Sequence, residues 1–259
     1  MRHFPSLSVL IATLAGFWSS AQATIIVNPA MPIDREVVVQ LIQARDNDGS
    51  NPATVFGTAS QRLAIETALD QIWAQAGINV TLLPTVTPYN SSFAIDRNNN
   101  TAGTRSLSDF DTIFMQASAA GVLNTGNVIN AIFVDYVPGF PVLSENSAGG
   151  LASLPGNKIT MFSGDVLLTF QNGLDVIAQV FAHEIGHNLG LAHTAASGNN
   201  LMAVSDANTE QLTAAQINTA RGSSLLRVVP EPGAAIFFGI SLVLLTGRRR
   251  HFTEQGSRS

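Results

Sequence analysis

Apolar residues follow two rhythms along this chain. From Glu36 to Ala44 they are nearly continuous (Val37, Val38, Val39, Leu41, Ile42), which predicts a buried strand. Asp46 to Pro52 is a turn cluster of Asn, Asp, Gly and Pro. From Thr58 the rhythm turns helical. Ile65, Leu69, Ile72, Trp73 and Ala76 share one face, Thr58 and Gln61 have capping-box spacing, and Gly77 ends the run. Ile78, Val80 and Leu82 then alternate, which predicts a strand up to Pro84. Residues 85–105 have no period. Within them Asp96 to Asn100 reads as a solvated turn, lacking the acidic spacing and the Glu of an EF-hand calcium loop. A second helix is predicted from Ser108 to Ala120, capped by Ser108 and Asp111, with Phe110, Ile113, Phe114 and Ala117 inward and Gly121 as its stop. Val128 to Val137 and Lys158 to Phe162 read as strands.

A third helix is predicted from about Asn172 to Gly190. Val176 and Val180 lie on one side, Ile177, Phe181 and Ile185 on the other, which predicts burial between layers. A last helix follows Thr213 and Gln216, a second capping box. Leu212 and Ile217 form a hydrophobic staple, and Gly222 comes after Arg221.

Composition narrows the function. There is no cysteine, so disulfides, thiolate ligands and a Cys nucleophile are excluded. Residues 24–229 carry eight Lys or Arg against sixteen Asp or Glu. Such an acidic domain offers no footprint for nucleic acid and no basic face to anionic lipid.

The chemistry concentrates in one stretch, His183-Glu184-Ile185-Gly186-His187-Asn188-Leu189-Gly190-Leu191-Ala192-His193. On a helix, side chains four apart share a face, so His183 and His187 can offer two imidazoles to one metal. Gly190 permits a sharp turn, after which His193 can return as the third ligand. Three imidazoles leave one position of a tetrahedral Zn²⁺ open, the catalytic rather than the closed structural arrangement. Two of the five histidines, His3 and His251, lie in end segments; every other one is in this motif. The competing reading is a two-His site completed by a distant carboxylate such as Glu210.

The H-E-x-x-H-x-x-G-x-x-H pattern resembles the metzincin clan of zinc endopeptidases. That resemblance implies an α/β (α+β) zincin fold: a twisted mixed sheet with helices, an active-site helix and a small C-terminal subdomain. It implies a catalytic domain over residues 24–228, with an upper subdomain to about 190 and a lower one over 191–228. Its chemistry is hydrolysis of peptide bonds by an activated water, with His183, His187 and His193 on Zn²⁺ and Glu184 as general base. Met202 becomes the floor of a Met turn. Residues 149–154 match the edge strand that pairs with an extended protein or peptide substrate; a plain hairpin with a Gly-rich bulge is the other reading. Thr194, after the third His, matches no subfamily pattern, and no Tyr near Met202 supports a fifth ligand. An N-terminal arm lying across the cleft is one route to latency.

The ends carry a separate message. Residues 1–23 read as a secretory signal peptide, with an apolar core from Leu7 to Trp18 and an A-x-A site at Ala21-Gln22-Ala23. Residues 229–259 combine Val-Pro-Glu-Pro-Gly, an apolar run 234–246 and Arg248-Arg249-Arg250. This resembles the PEP-CTERM sorting signal of Gram-negative bacteria. The resemblance implies membrane contact through the apolar helix, processing by an exosortase, and a domain that ends at the cell surface or outside. A surface or biofilm-matrix protein that retains the zinc site with little peptidase activity is the alternative function.

Overall fold

A computed structural model describes residues 25–91, 107–134, 150–162, 173–195, 199–203 and 210–229. Its centre is β1 (Arg35–Arg45). Parallel to it run β2 (Ile78–Leu82), β3 (Thr87–Asn90) and β4 (Val128–Val134). Beyond β4 lies β6 (Lys158–Phe162), also parallel, and the outer edge is β5 (Gly150–Ala152), antiparallel to β6. A short β7 (Arg227–Val228) pairs antiparallel with Arg35 and Glu36.

The alternation of side chains divides the core. Val37, Val39 and Leu41 of β1 and Ile129, Ala131 and Phe133 of β4 face one side. That side is covered by α1 (Ala59–Ala74) and α3 (Gly173–Asn188). Ile42, Ala44, Ile132 and Val134 face the other, under α2 (Leu107–Ala119). Strands buried on both faces read as unbroken apolar runs, which is why the first stretch of the sequence looks as it does. On the α1/α3 face Phe56, Phe133 and Phe181 form an aromatic cluster, with ring centroids 4.9, 5.3 and 6.1 Å apart. It pins α3 to the sheet.

Several expectations need correction. Residues 85–105 are not wholly irregular, because β3 forms inside them. It has a single buried side chain, Tyr89, and is held by pairing with β1 rather than by a pattern of its own. Ser108 sits inside α2 and is not its cap. The third helix is not enclosed throughout: Val176, Val180 and His183 remain half-buried, while residues 184–189 are buried. Residues 135–137, the Asp96 to Asn100 run, residue 149 and both terminal segments lie outside the described residues. Among the described residues no helix is long and apolar enough to cross a membrane.

The chain beyond α3 is tied to α1 by one buried amide. Gln75 donates to the carbonyls of Ile72 (2.8 Å) and Glu210 (2.6 Å) and accepts from the Leu212 amide (2.8 Å) and from Asn28 (2.9 Å). Thr213 and Gln216 form the expected capping box of α4 (Ala214–Arg221), with Leu212 buried before it. Arg221 at its end donates to the Ala76 carbonyl and pairs with Asp34, both at 2.8 Å. The described part of the N-terminal arm joins this same region: Ile26 bonds Glu210 and Met31 bonds Ala74. It is anchored at the end of α1, rather than across the histidine cleft.

Candidate metal centre

The site is built on the second half of α3. His183 and His187 stand one turn apart. The helix then ends in a Schellman turn: the Gly190 amide donates to the His187 carbonyl and the Leu191 amide to the Gly186 carbonyl, both at 2.9 Å. Gly190 has φ of 95°, a left-handed conformation in which a side chain would be strained. The reversal brings His193 back over the helix. Its Nε2 lies 3.0 Å from Nε2 of His187 and 3.2 Å from Nε2 of His183.

Backbone carbonyls set the tautomers. Nδ1 of His183 donates to the Leu201 carbonyl (2.6 Å) and Nδ1 of His187 to the Leu191 carbonyl (2.7 Å). A carbonyl only accepts, so each Nδ1 carries the proton and each Nε2 presents a lone pair. Burial holds His183 down to about 4 and lowers His187 as well, so both rings are neutral at pH 7. Neutral imidazoles oriented through their far nitrogens are what a metal requires. Lone pairs crowded around one point repel unless a cation lies between them, so the donor set fits a metal ion. Among the described residues His183, His187 and His193 are the one group of three able to hold such an ion. Glu210 does not join it: its carboxylate accepts from the Ile26 amide at 3.2 Å.

Glu184 is 6% exposed, and its Oε2 has no hydrogen-bond partner. Burial pushes its pKa up to about 8. The edge strand passes directly against it: a Cβ on Gly150 would stand 2.8 Å from Cγ of Glu184. Glycine at 150 is therefore a requirement of close approach, and the sequence hinted at it only through the Gly149-Gly150 pair.

Met202 is fully buried beneath the helix. A Cβ on Gly186 would lie 2.5 Å from its Sδ. The loop that carries Met202 is held by Asn200, whose Oδ1 accepts from the Met202 amide (2.9 Å) and from Gln216 (3.0 Å). The Thr194 amide donates to the Met202 carbonyl at 2.8 Å, so Thr194 ties the strand after His193 to the floor. Sequence reasoning did not find the roles of Asn200, Gly150, or the Leu191 and Leu201 carbonyls; backbone acceptors leave no residue-type signal.

A family model for reprolysin-like metallopeptidases of family M12B matches residues 64–194, just over half of the chain and up to the residue after His193. The chain belongs to that family. It is therefore a zincin-like metallopeptidase with a mixed α/β sheet, and its histidine triad is able to bind the metal. Similar solved structures include archaemetzincin from Methanopyrus kandleri (17% identity, 73% of this chain and 87% of that one, TM-score 0.40). Metalloproteinase-II from Bacteroides fragilis is another (14%, 75% and 58%, 0.39). A third is archaemetzincin from Archaeoglobus fulgidus in complex with malonate (16%, 73% and 93%, 0.38). No curated protein matches the chain.

Proposed function

We propose that this protein is an exported zinc endopeptidase of the metzincin type. In this reading His183, His187 and His193 hold the zinc and Glu184 is the general base. The observation that carries it is the meeting of three imidazole Nε2 atoms at the helix that also bears Glu184, a buried carboxylate whose Oε2 has no partner. When bound, zinc supplies a Lewis acid that lowers the pKa of water and polarises a carbonyl. Glu184 takes a proton from the attacking water and passes it to the leaving amine. Burial pushes its carboxyl up to about 8; a cation held by the three imidazoles would favour the charged form and bring it down, towards the base it must be. Met202 supports the rings from below. Among the described residues β5 has no strand on its outer side, and an extended peptide can add there, beside Glu184, as a further strand.

Export belongs to the same proposal and is supported by sequence pattern alone. Residues 1–23 direct the chain across the inner membrane. Residues 229–259 anchor it transiently through the apolar run 234–246, until an exosortase-type enzyme releases it to the surface or the medium.

The test is degradation of casein or gelatin by the zinc-loaded protein and by Glu184→Ala. Loss of hydrolysis with zinc content retained supports the reading. Equal rates in both proteins, or no hydrolysis by either with zinc bound, would count against it; the second outcome favours a zinc-binding surface protein.

A further inference from the structure

Asn188 follows His187 and closes α3, and its side chain bonds to the β5–β6 hairpin. It is 1% exposed. Its Nδ2 donates to the Ser153 carbonyl at 2.9 Å and to the Lys158 carbonyl at 3.1 Å. Those two residues close the β5–β6 hairpin: the Ser153 amide donates to the Lys158 carbonyl (3.0 Å), and the Lys158 amide donates to Ser153 Oγ (3.2 Å). The Gly156 amide, at the tip, reaches back to the Asn188 carbonyl at 3.4 Å. Two carbonyl acceptors fix the orientation of the amide, since the reverse orientation would set oxygen against oxygen. The inward-facing Oδ1 is left without a partner. The fold tolerates an orphaned acceptor in order to hold the mouth of this hairpin.

The same helix touches the same strand once more. Glu184, four residues earlier and on a neighbouring part of the helix surface, lies against Gly150 at the other end of β5. Thus α3 meets the hairpin at two places, at Gly150 by close packing of the Glu184 side chain and just past the strand at Ser153 by the Asn188 amide. Contact at both ends opposes sliding of the strand. The side-chain period of a strand is two, so a slip of one residue would present the opposite face.

We propose that Asn188 is a positioning residue that locks β5 in register and at a fixed distance from the metal helix, and so determines which bond of a strand-paired peptide lies over the catalytic carboxylate. This rests on the endopeptidase reading for its consequence, but not for its structural content. Asn188 touches neither substrate nor metal. Its effect is pre-organisation of the strand that receives the peptide.

The experiment has two readouts on the zinc-loaded protein and Asn188→Ala. Hydrogen exchange measures the amides of Ser153, Gly156 and Lys158 against those of residues 185–189. The expected result is exchange about tenfold faster or more in the hairpin, the size of one lost hydrogen bond's contribution, with the helix amides and zinc content unchanged. Kinetics on an extended peptide should place the loss in KM, about tenfold, rather than in kcat, with cleavage spread over adjacent bonds. Hairpin and helix amides accelerating together, or a fall in kcat at constant KM, would overturn the proposal. Should Asn188→Ala not fold, the unaltered protein decides: the Ser153 and Lys158 amides must share the protection of the end of α3, and faster exchange there refutes the lock. If no peptide is cleaved by the parent protein, the functional reading fails while the exchange result still stands or falls alone.

Discussion

The metal site has two halves made by different physics. The helical half, His183, Glu184 and His187, sits on a buried element pinned by Phe181 against Phe56 and Phe133. The loop half, His193, Leu201 and Met202, adds to the burial of Leu201 and Met202 a set of single hydrogen bonds through Asn200, Thr194 and Gln216. The helical half is set by periodicity and apolar burial. The loop half is set by contacts between residues distant in sequence. Precision in the first costs little beyond a well-packed helix; in the second it depends on a chain of polar groups, each worth about 1 kcal/mol.

That contrast predicts unequal responses to mutation. Phe181→Ala empties the aromatic cluster on the helical side and should cost about 3–5 kcal/mol in urea unfolding. A loss below ~1 kcal/mol would show that α3 is not anchored there. Gly186→Ala tests the seam between the halves. The new methyl group meets Sδ of Met202, a fully buried side chain. Overpacking of about 1–3 kcal/mol should outweigh the ~1 kcal/mol gained in helix propensity. Adding Met202→Ala should restore part of the loss in a double-mutant cycle; strict additivity would mean that the two residues do not touch.

Asn200→Ala removes one acceptor from the loop half. We expect about 1 kcal/mol of destabilisation and about a tenfold weaker zinc affinity by competitive chelation. An unchanged affinity would place the support of the loop elsewhere. The smallest effect concerns Glu210, which anchors the segment before α4. Its pKa is raised, chiefly by burial. A carboxyl whose folded pKa lies above its unfolded value favours folding when protonated, and it destabilises the fold as pH rises past the unfolded value of about 4.3. Glu210→Gln keeps an oxygen for the Ile26 amide and carries no charge. Its Tm should therefore exceed that of the parent at pH 7 and converge with it towards pH 4. The opposite trend would mean that the charge is compensated.

The division between the halves is also the division between what the sequence makes legible and what it hides. Helical spacing exposed His183, Glu184 and His187, Gly190 marked the turn, and Thr213 with Gln216 marked the start of α4. Continuous apolar runs located β1 and β4. Each of these signals is local. β3 was invisible because Tyr89 is its one buried side chain and pairing with β1 supplies its order. The half-buried flank of α3 was hidden too, since Val176 and Val180 look like fully buried core residues but pack at its margin. Asn188 stood in plain view inside the motif, yet its role needs the β5–β6 hairpin folded against it. The carbonyls of Leu191 and Leu201, which set the histidine tautomers, belong to the backbone and carry no signature at all.

The central claim is that one metal joins the two halves through three imidazoles. X-ray absorption at the zinc edge tests it most directly, on the loaded protein and on His193→Ala. The account predicts one zinc per chain with three imidazole nitrogens at about 2.0–2.1 Å, and two in the variant. An identical spectrum from both proteins would contradict it, because His193 would then not be holding the ion.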